Sequence, residues 1–238
     1  MNSPTDTISF RYRFLLLAGR TREFFILLDK KTLNLIQNAN SPRPEWTRLS
    51  SNKCPNCPLN EKENPYCPAA LSLAEPIETF KSDLSYEEAD VELTTPDRVY
   101  RKTTSLQNAI SSLFGIYMTT SGCPVLAKLK PLVRLHLPFA SLEETTYRTI
   151  AIYLMAQYFL YKRGQTPDWD LKDLPSIFED IRIVNESFRK RISGVQIEEA
   201  SLNAIFRLDY FARFTSITLL DKGLSSLEPW FEPYFHEI

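Results

Sequence analysis

Four cysteines are the residues of this chain best suited to chemistry. Two residues separate Cys54 from Cys57, nine separate Cys57 from Cys67, and Cys123 follows after a further 55. A Cys-x2-Cys pair allows one turn to direct two thiolates at a single ion. The spacing therefore predicts one metal site formed by Cys54, Cys57, Cys67 and Cys123.

Proline follows every one of the four cysteines, although it occupies only 16 of the 238 positions. A proline disfavours the α-helical region for the residue before it, so we expect each cysteine to be extended with its sulfur free to project. Proline also fixes its own φ, which favours a tight turn or a first helical turn directly afterwards. We therefore expect Cys67 and Cys123 to be N-cap residues, where the helix dipole and free N–H groups stabilise a thiolate.

The identity of the ion stays open between two cofactors, with zinc slightly favoured over an iron–sulfur cluster. A closed shell of four thiolates suits zinc, and a Cys-Pro-x-Cys turn is frequent in structural zinc sites. Such sites usually contain two Cys-x2-Cys pairs, however, whereas dispersed cysteines that precede proline also hold iron–sulfur clusters. The alternative without a metal is that the cysteines are buried or reactive free thiols, since cysteine often packs as a small apolar residue.

Acid–base catalysis is a weaker interpretation, centred on His136 with Glu143 and Glu144. His136 could instead be a fifth ligand or a donor to a cysteine sulfur, but a histidine near a helix end more often caps the last carbonyl groups. Glu144 stands three residues after Ser141, the spacing of a capping box, which explains it without chemistry. No Gly-x-Ser-x-Gly, Walker or dinucleotide-binding motif occurs. The sequence therefore favours a protein without catalytic activity over an enzyme.

The elements that must position these residues indicate an α+β fold. Every second residue from Phe10 to Leu16 is apolar, and Arg11 and Arg13 separate the first three of them, which is the period of two typical of a half-buried strand. Residues 37–68 are rich in Asn, Ser and Pro and poor in apolar side chains, and a loop of that length needs something to hold it. Further strands, arranged in two antiparallel elements, are predicted over residues 23–28, 32–36, 89–94 and 98–103.

The remainder of the chain is predicted to be mainly helical. Prolines and capping residues predict helices over about residues 68–81, 104–120, 123–136, 141–164, 171–193 and 196–222. The helix over 141–164 is apolar on most faces, a pattern typical of a buried central helix. We expect residues 1–103 to form the antiparallel β element with its cysteine-bearing loop, and residues 104–238 to form a helical region packed with it as one unit.

Charge and composition exclude several classes of partner. The 28 basic and 29 acidic side chains leave a net charge of −1, so the chain has no overall field to gather nucleic acid or anionic membrane. The N-terminus lacks the basic start of a signal peptide, and the most apolar internal stretch, residues 150–161, is too short to cross a bilayer. We therefore expect a cytoplasmic protein, in a compartment where thiols stay reduced.

The C-terminal tail, residues 229–238, carries four aromatic side chains within ten positions. A tail this apolar is expected either to pack back on the helices or to dock on a partner or a second copy. Packing back is the simpler of the two; docking would make the tail the binding surface for an unidentified protein partner. His236, within the tail, is expected to be solvated.

A wider set of motifs covers about half of the chain. It begins at Trp46, continues through CPNCPL, YCP, SGCP, RLHLPF and EETTYR, and ends near Pro167. In these motifs the chain resembles an uncharacterised family of bacterial proteins that carry a domain of unknown function. The resemblance implies a bacterial, cytoplasmic protein and transfers no activity, substrate or partner. We therefore expect a metal-binding, non-catalytic structural or regulatory interaction module; the alternative is an iron–sulfur redox sensor or electron-transfer protein.

Overall fold

A single four-stranded antiparallel sheet forms the N-terminal part of the fold. The computed structural model describes residues 6–37, 42–195, 199–221, 224–225 and 227–235, with the backbone alone at residue 18 and residues 215–221. The strands are β1 (Thr7–Leu15), β2 (Thr21–Asp29), β3 (Glu88–Thr94) and β4 (Val99–Ser105). Their order is β2-β1-β3-β4, so that β1 is paired on both sides.

Helices make up most of the chain beyond the sheet, which confirms the predicted α+β class. The α-helices in the described ranges are α1 (Pro68–Thr79), α2 (Leu106–Thr120), α3 (Lys130–Arg134), α4 (Leu142–Lys162), α5 (Leu174–Ile192) and α6 (Glu199–Asp221). Shorter 3₁₀ helices cover Leu17–Gly19, Glu45–Thr47, Leu126–Leu129 and Glu228–Tyr234. The bounds of α1, α2, α5 and α6 agree with the predicted ones within a few residues.

One face of the sheet forms the main core because buried and exposed residues alternate along β1. Phe14, on that face, is fully buried. Its ring centroid lies 5.8 Å from that of Phe24 on β2 and 5.1 Å from that of Phe80 at the end of α1. Helix α2 packs against α1, β3 and β4. This packing brings the start of α1 and the end of α2 together beside the loop that carries three of the cysteines.

The strand prediction differs from the structure in two respects. The two antiparallel elements are one sheet, because β1 also pairs with β3, with Phe14 opposite Val91. The strand predicted over residues 32–36 is only a single bridge between Leu28 and Leu35. Leu33 has a φ of 56°, in the left-handed region, and this residue interrupts the extended backbone that a strand requires.

The helix predicted over residues 123–136 is wrong as one element. It is divided into a turn after Cys123, a 3₁₀ helix and the short helix α3. Pro131 lies in the first turn of α3. Because proline has no N–H to donate to an earlier carbonyl, a continuous α-helix would lose a hydrogen bond there.

Helix α4 is not the buried central helix that its composition predicted. Its buried side chains are Thr146, Thr149, Ile150 and Gln157. Met155 and Phe159 are instead 59% and 53% exposed. The prediction failed because the apolar residues of α4 are distributed around the helix, and a packing partner on one side covers only part of them.

The backbone divides into two compact units. The first comprises residues 1–139 and 183–209, and the second comprises residues 140–182 and 210–238. The sheet, α1 to α3 and all four cysteines belong to the first unit, whereas α4 belongs to the second. The boundary predicted at residue 103 stays a prediction. Within the described ranges, each helix is too short or too polar to span a bilayer.

Candidate metal centre

The cysteine-bearing segment before α1 is a loop with little core of its own. Arg48 and Tyr66 form an isolated antiparallel bridge that joins its two ends. Among residues 42–66, the buried side chains are those of Thr47 and Leu49. Two buried side chains provide little apolar contact for a segment of this length, so its conformation depends on other interactions.

Cys54 and Cys57 lie on one tight turn of this loop. The Cys57 N–H donates a hydrogen bond to the Cys54 carbonyl oxygen, with an N to O distance of 3.0 Å. Both side chains are partly buried. The two thiols therefore start from a single turn, which is the local geometry that the Cys-x2-Cys spacing predicted.

Cys67 is the N-cap residue of α1, as predicted. It has an extended backbone (φ −71°, ψ 120°) and Pro68 occupies the first turn of the helix. The Leu71 N–H donates to the Cys67 carbonyl oxygen at 2.9 Å, which makes this the first intrahelical hydrogen bond. The thiol therefore lies beside the free N–H groups at the start of the helix.

Cys123 reaches the same region from the end of α2. Gly122 before it has a φ of 99°, and a Cβ placed on that glycine would lie 3.9 Å from the Cβ of Pro68. The Ala127 N–H donates to the Cys123 carbonyl oxygen at 3.0 Å, so Cys123 begins a helical turn, although the 3₁₀ helix proper starts at Leu126. The predicted N-cap role is therefore only approximated at this position.

One small cavity in the first unit is lined by all four cysteines. Its volume is about 20 Å³, which is room for one particle of the size of a water molecule. Electrostatic interactions connect every pair of the four thiols, and none of the thiols is in a disulfide. The rest of the wall includes Leu49, Leu59, Val125, Val184 and Phe188, together with Arg191. As the side chains stand, no three His, Cys, Asp or Glu residues of the described ranges are arranged as a formed metal site.

Burial controls the protonation of these thiols. Burial raises the pKa of Cys54 to about 11 and raises the pKa of Cys67 and of Cys123 as well. Backbone N–H groups at the start of the following turns lower the pKa of Cys67 and Cys123, but by less than burial raises it. The N–H groups at these two positions act in the predicted direction, in favour of the thiolate, but desolvation outweighs them in the metal-free protein. A metal ion at this cavity has to displace thiol protons.

The sequence reasoning missed Arg191, the charged residue that lines the same cavity. It is 3% exposed, and its guanidinium donates hydrogen bonds to the carbonyl oxygens of Trp46, Arg48 and Asn52 in the cysteine loop. Arg191 follows Phe188 by three positions and therefore shares its face of α5. The three-residue spacing from the apolar Phe188 could have indicated that Arg191 is buried, whereas its neighbour Lys190 lies on the exposed face.

His136 is placed away from the sulfur cavity. Its Nε2 lies 2.8 Å from the hydroxyl oxygen of Tyr12, and the same hydroxyl lies 2.8 Å from Ser112 Oγ. Its ring also makes an edge contact with Phe10, with centroids 6.0 Å apart. His136 is thus part of a polar cluster against β1 and is not among the residues that surround the four cysteines.

Glu144 has the structural role that its spacing predicted. The Ser141 side chain accepts a hydrogen bond from the Glu144 N–H, and the Glu144 carboxylate accepts one from the Ser141 N–H at 2.7 Å. Glu143 lies in the same first turn of α4. Because the capping box uses the Glu144 carboxylate, this residue stabilises the helix start and does not need a catalytic explanation.

The described part of the aromatic tail packs partly on α4. The ring centroids of Trp230 and Phe231 lie 6.0 and 6.5 Å from that of Tyr147. Trp230 nevertheless remains 56% exposed, and Tyr234 and Phe235 are 84% and 59% exposed. His236 and the two residues after it lie outside the described ranges. The tail therefore makes some contacts within the second unit while it presents most of its aromatic surface to solvent.

The family of the chain was established by comparison with known proteins. Neither the curated proteins nor the solved structures contain a detectable match to this sequence. The family comparison gave a match over residues 9–232, which is most of the chain and includes all four cysteines. This confirms the resemblance to an uncharacterised family. The chain belongs to the family described as domain of unknown function DUF6901.

Proposed function

We propose that this protein binds one metal ion through Cys54, Cys57, Cys67 and Cys123 and acts as a non-catalytic structural or regulatory interaction module. The observation that carries the proposal is the cavity that all four cysteines line. Thiols from a loop turn, a helix start and the end of a second helix meet at this one place. Four sulfur donors with no carboxylate among them suit a soft or borderline metal ion.

The proposal also explains how the cysteine loop is held. Residues 42–66 bury only two side chains, so apolar packing contributes little to the order of the loop. An ion bound by Cys54 and Cys57 of this segment, by Cys67 at the start of α1 and by Cys123 would attach the loop to the start of α1 and to the C-terminal end of α2. Because such a site does not exist in the unfolded chain, the binding free energy of the metal adds to the folding free energy.

Zinc is the cofactor that we favour. Cys54 and Cys57 form a Cys-Pro-x-Cys turn, which is frequent in structural zinc sites. Zinc also accepts four thiolates in a closed shell with no open position, which agrees with a site that performs no catalysis. We place the protein in the cytoplasm, where reduced thiols remain available to the metal.

Metal content is the decisive measurement. The full-length protein is purified without oxygen, and zinc, iron and acid-labile sulfide are determined per chain. One equivalent of zinc in a colourless protein is expected, and Cys123→Ser is expected to reduce it to well below one. Ser72→Ala is the control, since Ser72 is also buried in the first unit but is no ligand. Brown protein with iron and sulfide would support the redox alternative, and folded protein free of any metal would refute both.

We propose that the partner of this module is a protein that binds the aromatic tail. Trp230, Tyr234 and Phe235 are all more than half exposed, and aromatic side chains of this kind commonly anchor protein interfaces. A photo-crosslinking amino acid at position 234 is expected to give a discrete crosslinked species in cells. The matched control is position 86, where Tyr86 is 69% exposed outside the tail. Equal labelling at both positions, or none at position 234, would contradict this assignment.

A further inference from the structure

Arg191 is a buried cation, and no carboxylate among the described residues neutralises its formal charge. Its side chain is nearly inaccessible to solvent, and its hydrogen bonds go to three backbone carbonyl oxygens. None of the ion pairs of the described ranges includes Arg191. Carbonyl oxygens satisfy the N–H groups but carry no net charge, so the desolvation of the guanidinium remains largely uncompensated. A buried charge of this kind needs an anionic neighbour.

The groups that face Arg191 across the cavity are the four cysteines. Arg191 lines the same 20 Å³ space as the thiols and is electrostatically coupled to Cys67. Neutral thiols do not compensate a guanidinium. A divalent ion with four thiolates carries a net charge of −2, since two positive charges oppose four negative ones, and with Arg191 the sum becomes −1. The metal-bound state therefore provides a counter-charge that no carboxylate of the described part of the chain gives to the buried arginine.

The hydrogen bonds of Arg191 also connect the site to α5. The guanidinium donates to the carbonyl oxygens of Trp46, Arg48 and Asn52, directly before the Cys54 turn. One turn earlier on α5, the ring of Phe188 contacts that of Trp46, with centroids 6.4 Å apart. The end of α5 is thus attached to the segment that presents the first two thiols. A negative charge at the cysteines attracts the Arg191 guanidinium and therefore also stabilises this attachment of α5 to the loop.

We propose that Arg191 is the counter-charge and positioning residue of the metal centre, so that metal binding and attachment of α5 residues 183–192 to the cysteine loop are one coupled equilibrium. This inference rests on the proposed function. Coupling of this kind is reciprocal: the ion strengthens the attachment of α5, and the attached arginine strengthens the binding of the ion by the same factor. Metal occupancy would then control whether this end of α5 is held to the loop.

Three variants at neighbouring positions separate charge from structure. Arg191→Met removes both the charge and the hydrogen bonds, Arg191→Lys keeps the charge without the planar fork, and Lys190→Met removes an exposed charge from the same helix. Zinc affinity is measured by chelator competition, and Co²⁺ absorption reports the ligand set. We expect Arg191→Met to weaken zinc binding about tenfold or more, Arg191→Lys to recover part of the loss, and Lys190→Met to bind as wild type. The Co²⁺ bands are expected to keep their positions, because the four ligands are unchanged.

A second measurement uses only the wild-type protein and therefore does not depend on a variant that folds. Amide hydrogen exchange of residues 183–192 is followed with zinc and with chelator, and zinc is expected to slow it. Equal zinc affinity in Arg191→Met and wild type, or exchange that zinc leaves unchanged, would overturn the role of Arg191 while the metal site stands. Wild-type protein that binds neither zinc nor Co²⁺ would instead overturn the proposed function itself.

Discussion

Replacement of Cys123 by serine is the most direct test of the idea that an ion holds the cysteine loop in place. Cys54, Cys57 and Cys67 lie within one segment, whereas Cys123 is 8% exposed and reaches the cavity from the end of α2. It is therefore the ligand through which an ion would attach the loop to the helical core. Serine is a much poorer ligand for zinc than a thiolate, so Cys123→Ser is expected to remove most of the metal-dependent stability.

The size of the effect follows from linkage. At a free zinc concentration about a thousand times Kd, an ion that binds only the folded chain adds roughly 4 kcal/mol to the free energy of unfolding. For a chain of this length, about 1 kcal/mol corresponds to roughly 2–4 °C in Tm. Zinc is therefore expected to raise the Tm of the wild type by about 8–16 °C. In the metal-free state, we expect the substitution itself to cost only about 1 kcal/mol, from burial of a hydroxyl in place of a thiol.

The assay is thermal unfolding followed by circular dichroism, with wild type and Cys123→Ser each measured in zinc and in chelator. Ser72→Ala, a buried position on α1 that is no ligand, serves as the control and is expected to retain the full zinc response. If chelation lowers the Tm of wild type and Cys123→Ser by the same amount, Cys123 is not a ligand. If chelation lowers neither, the loop is held without a metal and the reasoning is refuted.

Three further outcomes are expected. In the metal-free protein burial raises the pKa of Cys54 to about 11 from an ordinary value of 9.0, so the unfolded chain loses this proton at a lower pH than the folded chain does. The contribution of Cys54 to the free energy of unfolding is therefore expected to be constant below pH 9 and to fall as the pH rises towards 11. A denaturant series at several pH values in which Cys54→Ser shows the same fall as the wild type would contradict this. Tyr12→Phe is expected to cost about 1–2 kcal/mol in denaturant unfolding, because Ser112 and His136 lose a common partner, and to leave zinc binding unchanged; weakened zinc binding would mean that this cluster belongs to the site. Gly122→Ala is expected to lower the free energy of unfolding by about 1 kcal/mol, because its φ of 99° is unfavourable for alanine and the added Cβ meets no clash. A decrease well above about 1 kcal/mol would show that the contact with Pro68 is tighter than the 3.9 Å separation implies.

Local features of the fold were predictable where a residue and its immediate neighbours suffice. The Cys67–Pro68 pair predicted the start of α1 because proline both opens a helix and keeps the preceding residue extended. The capping box at Ser141 and Glu144 formed as its spacing predicted. The alternation along β1 predicted a half-buried strand, and the burial pattern of Thr7–Leu15 agrees with it. In each case the relevant interactions extend over a few residues.

Features that depend on distant partners were not predictable in the same way. The pairing of β1 with β3 joins segments more than seventy residues apart, and the alternation within each strand is equally compatible with two separate elements. The exposure of α4 could not be read from its composition, because composition does not say how much apolar surface a neighbour covers. The net pKa of Cys67 depends on desolvation by the surrounding residues as well as on the helix start, and burial has the larger effect.

The chemistry available to this chain was predictable from its residue types and local sequence. It has four thiols, and each precedes a proline that favours a turn or a helix start. Their meeting around one cavity, and the arrival of Arg191 beside them, required the packing of α1, α2 and α5 around the cysteine loop. The physical reason is the range of the interactions. Turns and caps arise from neighbouring backbone groups, whereas desolvation and the juxtaposition of charges arise only when segments far apart in the chain exclude water from the same space.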